Sequence, residues 1–450
     1  MLKESWMLAI ETLSWMEKEK INEQLALART AKQLNINKVE VLRLAHKLVF
    51  ETIRHQNVID RFINEQLKPK SLNEFALGVQ SFLRLYVYQT RIAKNWSNVD
   101  FQEAEDIVKL GRAILGWKAL KEVEHIFGKL LTEHVTEILK NTSDEERTGL
   151  LTFHPTWFVK YCFKLFGRKK AIELLKANMR SPPTYIRLNT LKGEEEDILK
   201  KIGEENIKVE KVEGLKYAYK VLSSKRPLVR SKSFREGLFY IQDKASCFAA
   251  EVADPKENDV VLDVCAAPGA KTTYLAQLMR NCGRIFSIDY SKRRMDVWRK
   301  EVARMGVEIA EPIIADACNP LPVNVEADVV VLDPPCTSTG TFAKLPSTKW
   351  RLTSRSIYKM AEIQWQMLKK AAEKVRPGGK LIYSTCSITI EENEMLIEKF
   401  LKWHPEFQLV DIKQNFGAPG LRGLNKCRRL YPHIHECNGF FIAKMIKSEI

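Results

Sequence analysis

Apolar and polar positions change rhythm along this 450-residue chain. Up to about residue 145 the apolar residues recur at intervals of three and four, as they do in amphipathic helices that press one face on a core. The pattern predicts helices over Glu23 to Leu34, Val39 to Phe62, Asn73 to Gln89, Phe101 to Trp117 and Lys121 to Leu139, an all-α domain spanning residues 1–145. No unit of roughly 20 to 50 residues repeats, which argues against a solenoid. The aromatic-rich run Phe82, Leu83, Leu85, Tyr86 and Tyr88 reads as core packing.

A polar break, Asn141 to Arg147, precedes Phe153-His-Pro-Thr-Trp157 and a helix through Asn178. Ser181-Pro-Pro183 stops that helix, because a residue before proline is pushed out of the α region. The alternation of Tyr185 to Asn189 then predicts a strand and Glu194 to Ile202 a charged helix, so residues 146–235 read as a linker helix and a small α+β subdomain. From Glu236 the rhythm becomes strand, helix, strand. Strands are predicted at Val260–Cys265, Arg284–Asp289, Glu308–Ala315, Ala327–Asp333, Lys380–Thr385, Phe407–Ile412 and Gly439–Met445. Helices are predicted at Lys271–Arg280, Lys292–Met305, Arg355–Val375 and Glu391–Trp403. Such alternation implies a doubly wound α/β sheet over residues 236–450, with ligands beyond the carboxyl ends of its strands.

Charge adds a partner. The 72 basic and 56 acidic residues leave a formal net charge of +16, which favours a polyanion and, best of all, nucleic acid. Lys216, Tyr217, Tyr219, Lys220, Lys225, Arg226, Arg230, Lys232 and Arg235 interleave cations with rings, as single-stranded RNA recognition requires, although a solvated loop explains the same residues. The N-terminal twenty residues carry acids within their apolar part, unlike a signal peptide, and no apolar run approaches the roughly 18 residues that span a bilayer. Nine scattered cysteines suit reduced thiols, and the expectation is a cytoplasmic, monomeric enzyme.

The stretch Val260 to Thr273, VVLDVCAAPGAKTT, is a buried strand feeding a small-residue turn that opens a helix. A phosphate-binding P-loop would need glycines where Cys265 and Ala270 stand, and Ala266-Ala267-Pro268-Gly269 lacks the dinucleotide fingerprint. What remains is a turn that lets a nucleoside and an amino-acid tail approach the backbone. Asp289 ends the second strand, where a carboxylate accepts ribose hydroxyls, and Asp316 after the third could reach an adenine amino group. Taken alone, each Asp is more readily a turn or cap residue. The spacing resembles S-adenosylmethionine-dependent methyltransferases of the Rossmann-like class. After the fourth strand, Asp333-Pro-Pro335 is close to the motif of amino-methyltransferases, but Cys336 replaces their aromatic residue. A thiol there suits ring-carbon chemistry, since carbon 5 of a pyrimidine becomes nucleophilic only after a thiolate adds to carbon 6. Cys386 in YSTCS supplies a second thiol at the next strand end.

DVCAAPGAKT, LDPPCTSTG and YSTCSITIEEN resemble the signature motifs of the Sun/Fmu (RsmB-like) family of RNA cytosine-5 methyltransferases. RLNTLKG at 187–193, IQDKAS at 241–246, PGG at 377–379 and PHIHECNGFFIA near the C-terminus extend the likeness over about residues 150–447, and the helical front resembles, less specifically, a NusB-like RNA-binding domain. The resemblance implies an S-adenosyl-L-methionine cofactor held by Cys265, Ala266, Ala267, Pro268, Gly269, Ala270, Lys271, Asp289, Arg294, Asp316 and Asp333. It implies Cys386 as nucleophile, Cys336 as the residue assisting proton loss and release, and Asp333 as the holder of the cytosine. The implied partner is ribosomal RNA, with transfer RNA as the alternative; a catalytically dead assembly factor is disfavoured because both cysteines and the acids are present. DNA methylation is disfavoured by the TCS motif. Three departures from the pattern are Ala270 for a glycine, Thr337-Ser338 where Ser-Gly is common, and Pro334 for alanine. His433, His435 and Cys437 alternate but lack a fourth ligand at short spacing, so no metal is expected.

Overall fold

The computed structural model describes residues 1–96 and 99–449. Two compact units divide the chain, Met1–Arg180 with Phe342–Leu352, and Ser181–Thr341 with Thr353–Ile450.

The first unit is helical. Its opening helix is Leu2–Glu19, whose Trp6, Ala9, Ile10 and Leu13 turn inward at helical spacing. Phe82, Leu83, Leu85 and Tyr86 are buried, with Phe82 against Trp6 and Phe127, so the aromatic run is core. The single helix expected over Val39 to Phe62 is two, Val39–Arg54 and Gln56–Leu67. His55 leaves helical geometry (φ −103°, ψ 11°) while its ring Nδ1 lies 2.7 Å from the Glu51 carbonyl and packs on Phe153. The polar break also contains a helix start. Ser143 accepts the Glu146 N–H at 3.2 Å and three acids fill the first turn of Asp144–Thr152, where they face the positive helix end. The helix expected through Asn178 is divided by Gly167 into Thr156–Phe166 and Arg168–Ala177.

Phe342–Leu352 joins this unit from far along the sequence. Lys349 Nζ donates to the carbonyls of Arg54 (3.1 Å) and Phe153 (2.7 Å), Trp350 Nε1 to that of Ile53 (2.7 Å), and Ser347 Oγ bonds Glu23.

The second unit holds two sheets. β1 (Tyr185–Leu188), β2 (Ile207–Lys211), β3 (Ala218–Ser224) and β4 (Phe239–Ile241) form an antiparallel sheet in the order β2-β3-β1-β4. Part of the basic, aromatic stretch is therefore not a loop: β3 runs through it and buries Tyr219. The larger sheet comprises β5 (Val260–Val264), β6 (Arg284–Asp289), β7 (Ala310–Ile314), β8 (Ala327–Leu332), β9 (Val375–Thr385), β10 (Phe407–Leu409), β11 (Ala418–Pro419), β12 (Arg428–Leu430) and β13 (Phe440–Lys447). Among the described residues its order is β11-β12-β13-β9-β8-β5-β6-β7, with β10 on β13. The five strands from β7 to β9 are parallel and β13 is antiparallel to β9. Val261, Leu262 and Val264, like Val329–Leu332, are buried, as strands with helices on both faces must be. Chain order reverses between β5 and β8, which makes their carboxyl ends the crevice where such sheets bind ligands. Among the described residues no helix is long and apolar enough to cross a membrane.

Candidate active site

β5 ends in Val264, after which Cys265 takes φ 68° and Gly269 φ 108° before the helix Ala270–Leu278 begins. The positive φ falls on the retained glycine, so Ala270 stands in an ordinary helical position. In this turn the torsion calls for glycine, and a Cβ at Gly269 would also press on Trp298 Cδ1 at 3.2 Å. Beneath it, buried Asp263 accepts Thr272 Oγ1, and burial raises its carboxyl to about 6.

Asp289, at the end of β6, is also buried. It accepts the Ala267 N–H at 3.2 Å and the Ser291 N–H at 3.1 Å, and pairs with Arg294 at 3.1 Å. Arg294 in turn donates to the Ala267 carbonyl, so acid and guanidinium pin the turn from both sides. Asp316, beyond β7, is exposed and accepts the Cys318 N–H at 3.0 Å, a turn contact.

Across the crevice, Asp333 follows β8. Lys271 Nζ lies 2.5 Å from its Oδ2 and Ser384 Oγ donates to its Oδ1 at 3.3 Å. Burial works against the Lys271 charge, but Asp333 outweighs it and raises the amine above its ordinary value. Because β8 and β9 are neighbours, the loops that follow them bring Cys336 and Cys386 together, Sγ to Sγ 3.1 Å. Ser338 Oγ lies 3.4 Å from Cys386 Sγ and 3.9 Å from Cys336 Sγ. The two thiols split in acidity. The hydrogen bond from Cys336 pulls Cys386 below the usual thiol value, aided by Ser338 and the Lys271 charge against burial. Cys336 is pushed well above that value by the same bond and by burial.

Burial raises Cys265, Cys162 and Cys247, leaving them poor thiolates. The C-terminal motif serves packing. His435 Nδ1 accepts the Tyr431 N–H at 2.9 Å, Cys437 is buried, and Asp243 of IQDKAS accepts the Asn438 N–H at 3.2 Å. Gly439 donates to the Gly340 carbonyl at 2.8 Å, and Gly340 donates to the Cys386 carbonyl at 2.9 Å. A Cβ on Gly340 would lie 2.0 Å from the Gly439 carbonyl oxygen, so the Cys336 loop closes only on bare backbone.

Two groups of sequence-predicted residues thus come together, Ala267 with Asp289 and Arg294, and Lys271 with Asp333, Cys336 and Cys386, whereas Asp316 bonds within its own turn, to Cys318 and Asn319. Sequence reasoning missed Ser338, Ser384 and Glu392, whose contacts with Cys386, Asp333 and Thr337 arise only when neighbouring strand ends meet.

Sheet order, glycine turn and strand-end acids define a Rossmann-like methyltransferase fold. Residues 250–446 match the 16S rRNA methyltransferase RsmB/F family, and residues 154–225 match the ferredoxin-like domain of RsmF/B-like methyltransferases. The crystal structure of PH0851 superposes with a TM-score of 0.83 at 30% identity, covering 99% of both chains. A probable ribosomal RNA small subunit methyltransferase B of Bacillus subtilis is 29% identical across 98% of both chains. A tRNA (cytosine(72)-C(5))-methyltransferase of Pyrococcus horikoshii is 40% identical over 220 residues, 48% of this chain and 54% of its own. The chain belongs to the RsmB/F family and is an RNA (cytosine-5-)-methyltransferase.

Proposed function

We propose that the protein methylates carbon 5 of a cytidine in structured ribosomal RNA through a covalent adduct between Cys386 and carbon 6 of the base. The observation that carries this reading is the pair of thiols 3.1 Å apart at adjacent strand ends, one favouring the thiolate and the other keeping its proton.

Cys386 attacks: its sulfur–carbon-6 bond forms as the electron pair of the ring double bond moves toward the ring nitrogen and makes carbon 5 nucleophilic. Asp333, held by Lys271 and Ser384, faces the ring nitrogen and amino group. Once Cys386 is bonded to carbon 6 it is no longer a thiolate beside Cys336, so Cys336 can release its own proton to solvent and then take the carbon-5 proton after methylation; the double bond re-forms and the sulfur–carbon bond breaks to return Cys386 as thiolate. Cys336, the neighbour that hydrogen-bonds this sulfur, assists proton loss and release.

The residues fit S-adenosylmethionine: side chains no larger than a methyl at Ala266, Ala267 and Gly269 keep bulk out of the turn, and Asp289 stands at the adjacent strand end, where a ribose-binding acid belongs. Cys265 to Lys271, Asp289, Arg294, Asp316 and Asp333 would hold it. When bound, it supplies the methyl group.

Ribosomal RNA is favoured over transfer RNA because the ribosomal relative aligns along the whole chain, whereas the transfer RNA relative aligns with about half. Incubation with labelled cofactor and either RNA tests this. Label should enter 5-methylcytidine in ribosomal RNA; label confined to transfer RNA would overturn the substrate, and absence of label from both would overturn the activity.

A further inference from the structure

The glutamate that follows the second cysteine motif, Glu392, is fully buried and touches neither thiol. Five donors converge on its carboxylate. Oε1 accepts the Thr337 N–H (2.8 Å) and Gln364 Nε2 (2.9 Å). Oε2 accepts the hydroxyls of Ser387 (2.6 Å), Thr389 (2.7 Å) and Thr337 (2.5 Å). Two of these donors are informative by position: Thr337 is the residue after Cys336, and Ser387 is the residue after Cys386. Gln364 Nε2 also donates to the Pro335 carbonyl at 3.0 Å, so both chain neighbours of Cys336 are tied to this group.

The next residues secure the other loop. Asn393 Oδ1 accepts Thr385 Oγ1 at 2.6 Å, and its Nδ2 donates to the carbonyls of Ser387 (2.9 Å) and Thr389 (2.7 Å). Glu394 pairs with Arg429, which donates to the Ile388 carbonyl at 2.8 Å. A carboxylate is an acceptor with about four lone-pair sites, and a buried charge is tolerated when hydrogen bonds saturate it.

We infer that Glu392 is the positioning residue that sets the distance between Cys336 and Cys386. One rigid acceptor shared by the successors of both cysteines ties the two loops at the residues next to the thiols, beside the direct bonds from Gly340 N–H to the Cys386 carbonyl (2.9 Å) and between the Thr339 and Ser387 hydroxyls (3.0 Å). The consequence for reactivity follows from the thiol pair itself. The bond from Cys336 is what chiefly favours the Cys386 thiolate, so a lost spacing weakens the nucleophile while leaving the RNA surface intact.

Glu392→Gln keeps the shape but turns one acceptor into a donor facing hydroxyls. The part of the test that reads turnover rests on the proposed two-thiol reaction; the part that reads geometry does not. Phenylarsine oxide bridges two thiols only when they are close together, and Cys336→Ala sets the zero of its capture by this site. With Glu392→Gln the capture rate should fall at least tenfold, kcat should fall at least tenfold, and KM for RNA should stay within twofold. Capture and kcat both at the wild-type level would overturn the inference, as would lost turnover with wild-type capture. Lost capture with wild-type turnover would sustain the positioning role and overturn the two-thiol reaction instead. Should Glu392→Gln fail to fold, Ser387→Ala removes one donor and keeps the carboxylate; reduced capture supports the inference and wild-type capture overturns it.

Discussion

Cys336 and Cys386 are the same side chain with opposed acidities, and the opposition comes from each other. A hydrogen bond donated by Cys336 stabilises the Cys386 thiolate and makes the donor harder to ionise. Alkylation of the Cys386 peptide by iodoacetamide should therefore have its midpoint below the ordinary thiol pH, and Cys336→Ala should move that midpoint upward; an unmoved midpoint would contradict the pairing. Gly269→Ala places a Cβ at φ 108° and 3.2 Å from Trp298. Such strain costs about 1–3 kcal/mol, so cofactor affinity measured by calorimetry should fall roughly 5- to 150-fold if the turn is the cradle. At this scale the cysteines, Asp333 and Lys271 were legible because each stands at a short offset from an apolar strand run. Glu392 and Ser338 were not, since nothing local says that an acid beyond the TCS motif meets the residue after another strand's cysteine.

Elements were legible where one period persisted. The strands β5 to β8 were read within two residues, because their apolar runs are bounded by turn residues and acids, whereas β9 starts five residues early, at Val375, and runs through Pro377-Gly378-Gly379. Helix breaks at His55 and Gly167 were harder to see, for the apolar spacing continues across them while the backbone turns. The docking of Phe342–Leu352 on helices was invisible, as it depends on carbonyls at the ends of other elements. Its anchor makes a testable claim about pH. Burial lowers the Lys349 amine from an ordinary 10.5 to about 7, with Arg54 adding repulsion, yet the neutral amine still donates to two carbonyls. Between these pH values the unfolded chain holds a proton that the folded chain lacks, so this group makes stability rise with pH across that window. The melting temperature of the wild type minus that of Lys349→Met should increase from pH 7 to pH 10; a constant difference would contradict the buried, neutral amine.

For the whole molecule, the net charge of +16 bears on RNA affinity more than on specificity. Binding to a ribosomal RNA fragment should weaken steeply with salt, with a log–log slope of roughly −3 or steeper if four or more phosphates are neutralised. A slope near zero would remove the basic surface from the account. In the proposed reaction, specificity for carbon 5 of cytosine rests instead on the second unit, where two thiols meet after the adjacent strands β8 and β9. The most direct measurement is denaturing gel analysis of enzyme incubated with ribosomal RNA and cofactor. Cys336→Ala should accumulate a covalent protein–RNA complex that disappears when Cys386→Ala is added; no complex in the single variant, or a complex that persists in the double variant, would contradict the mechanism.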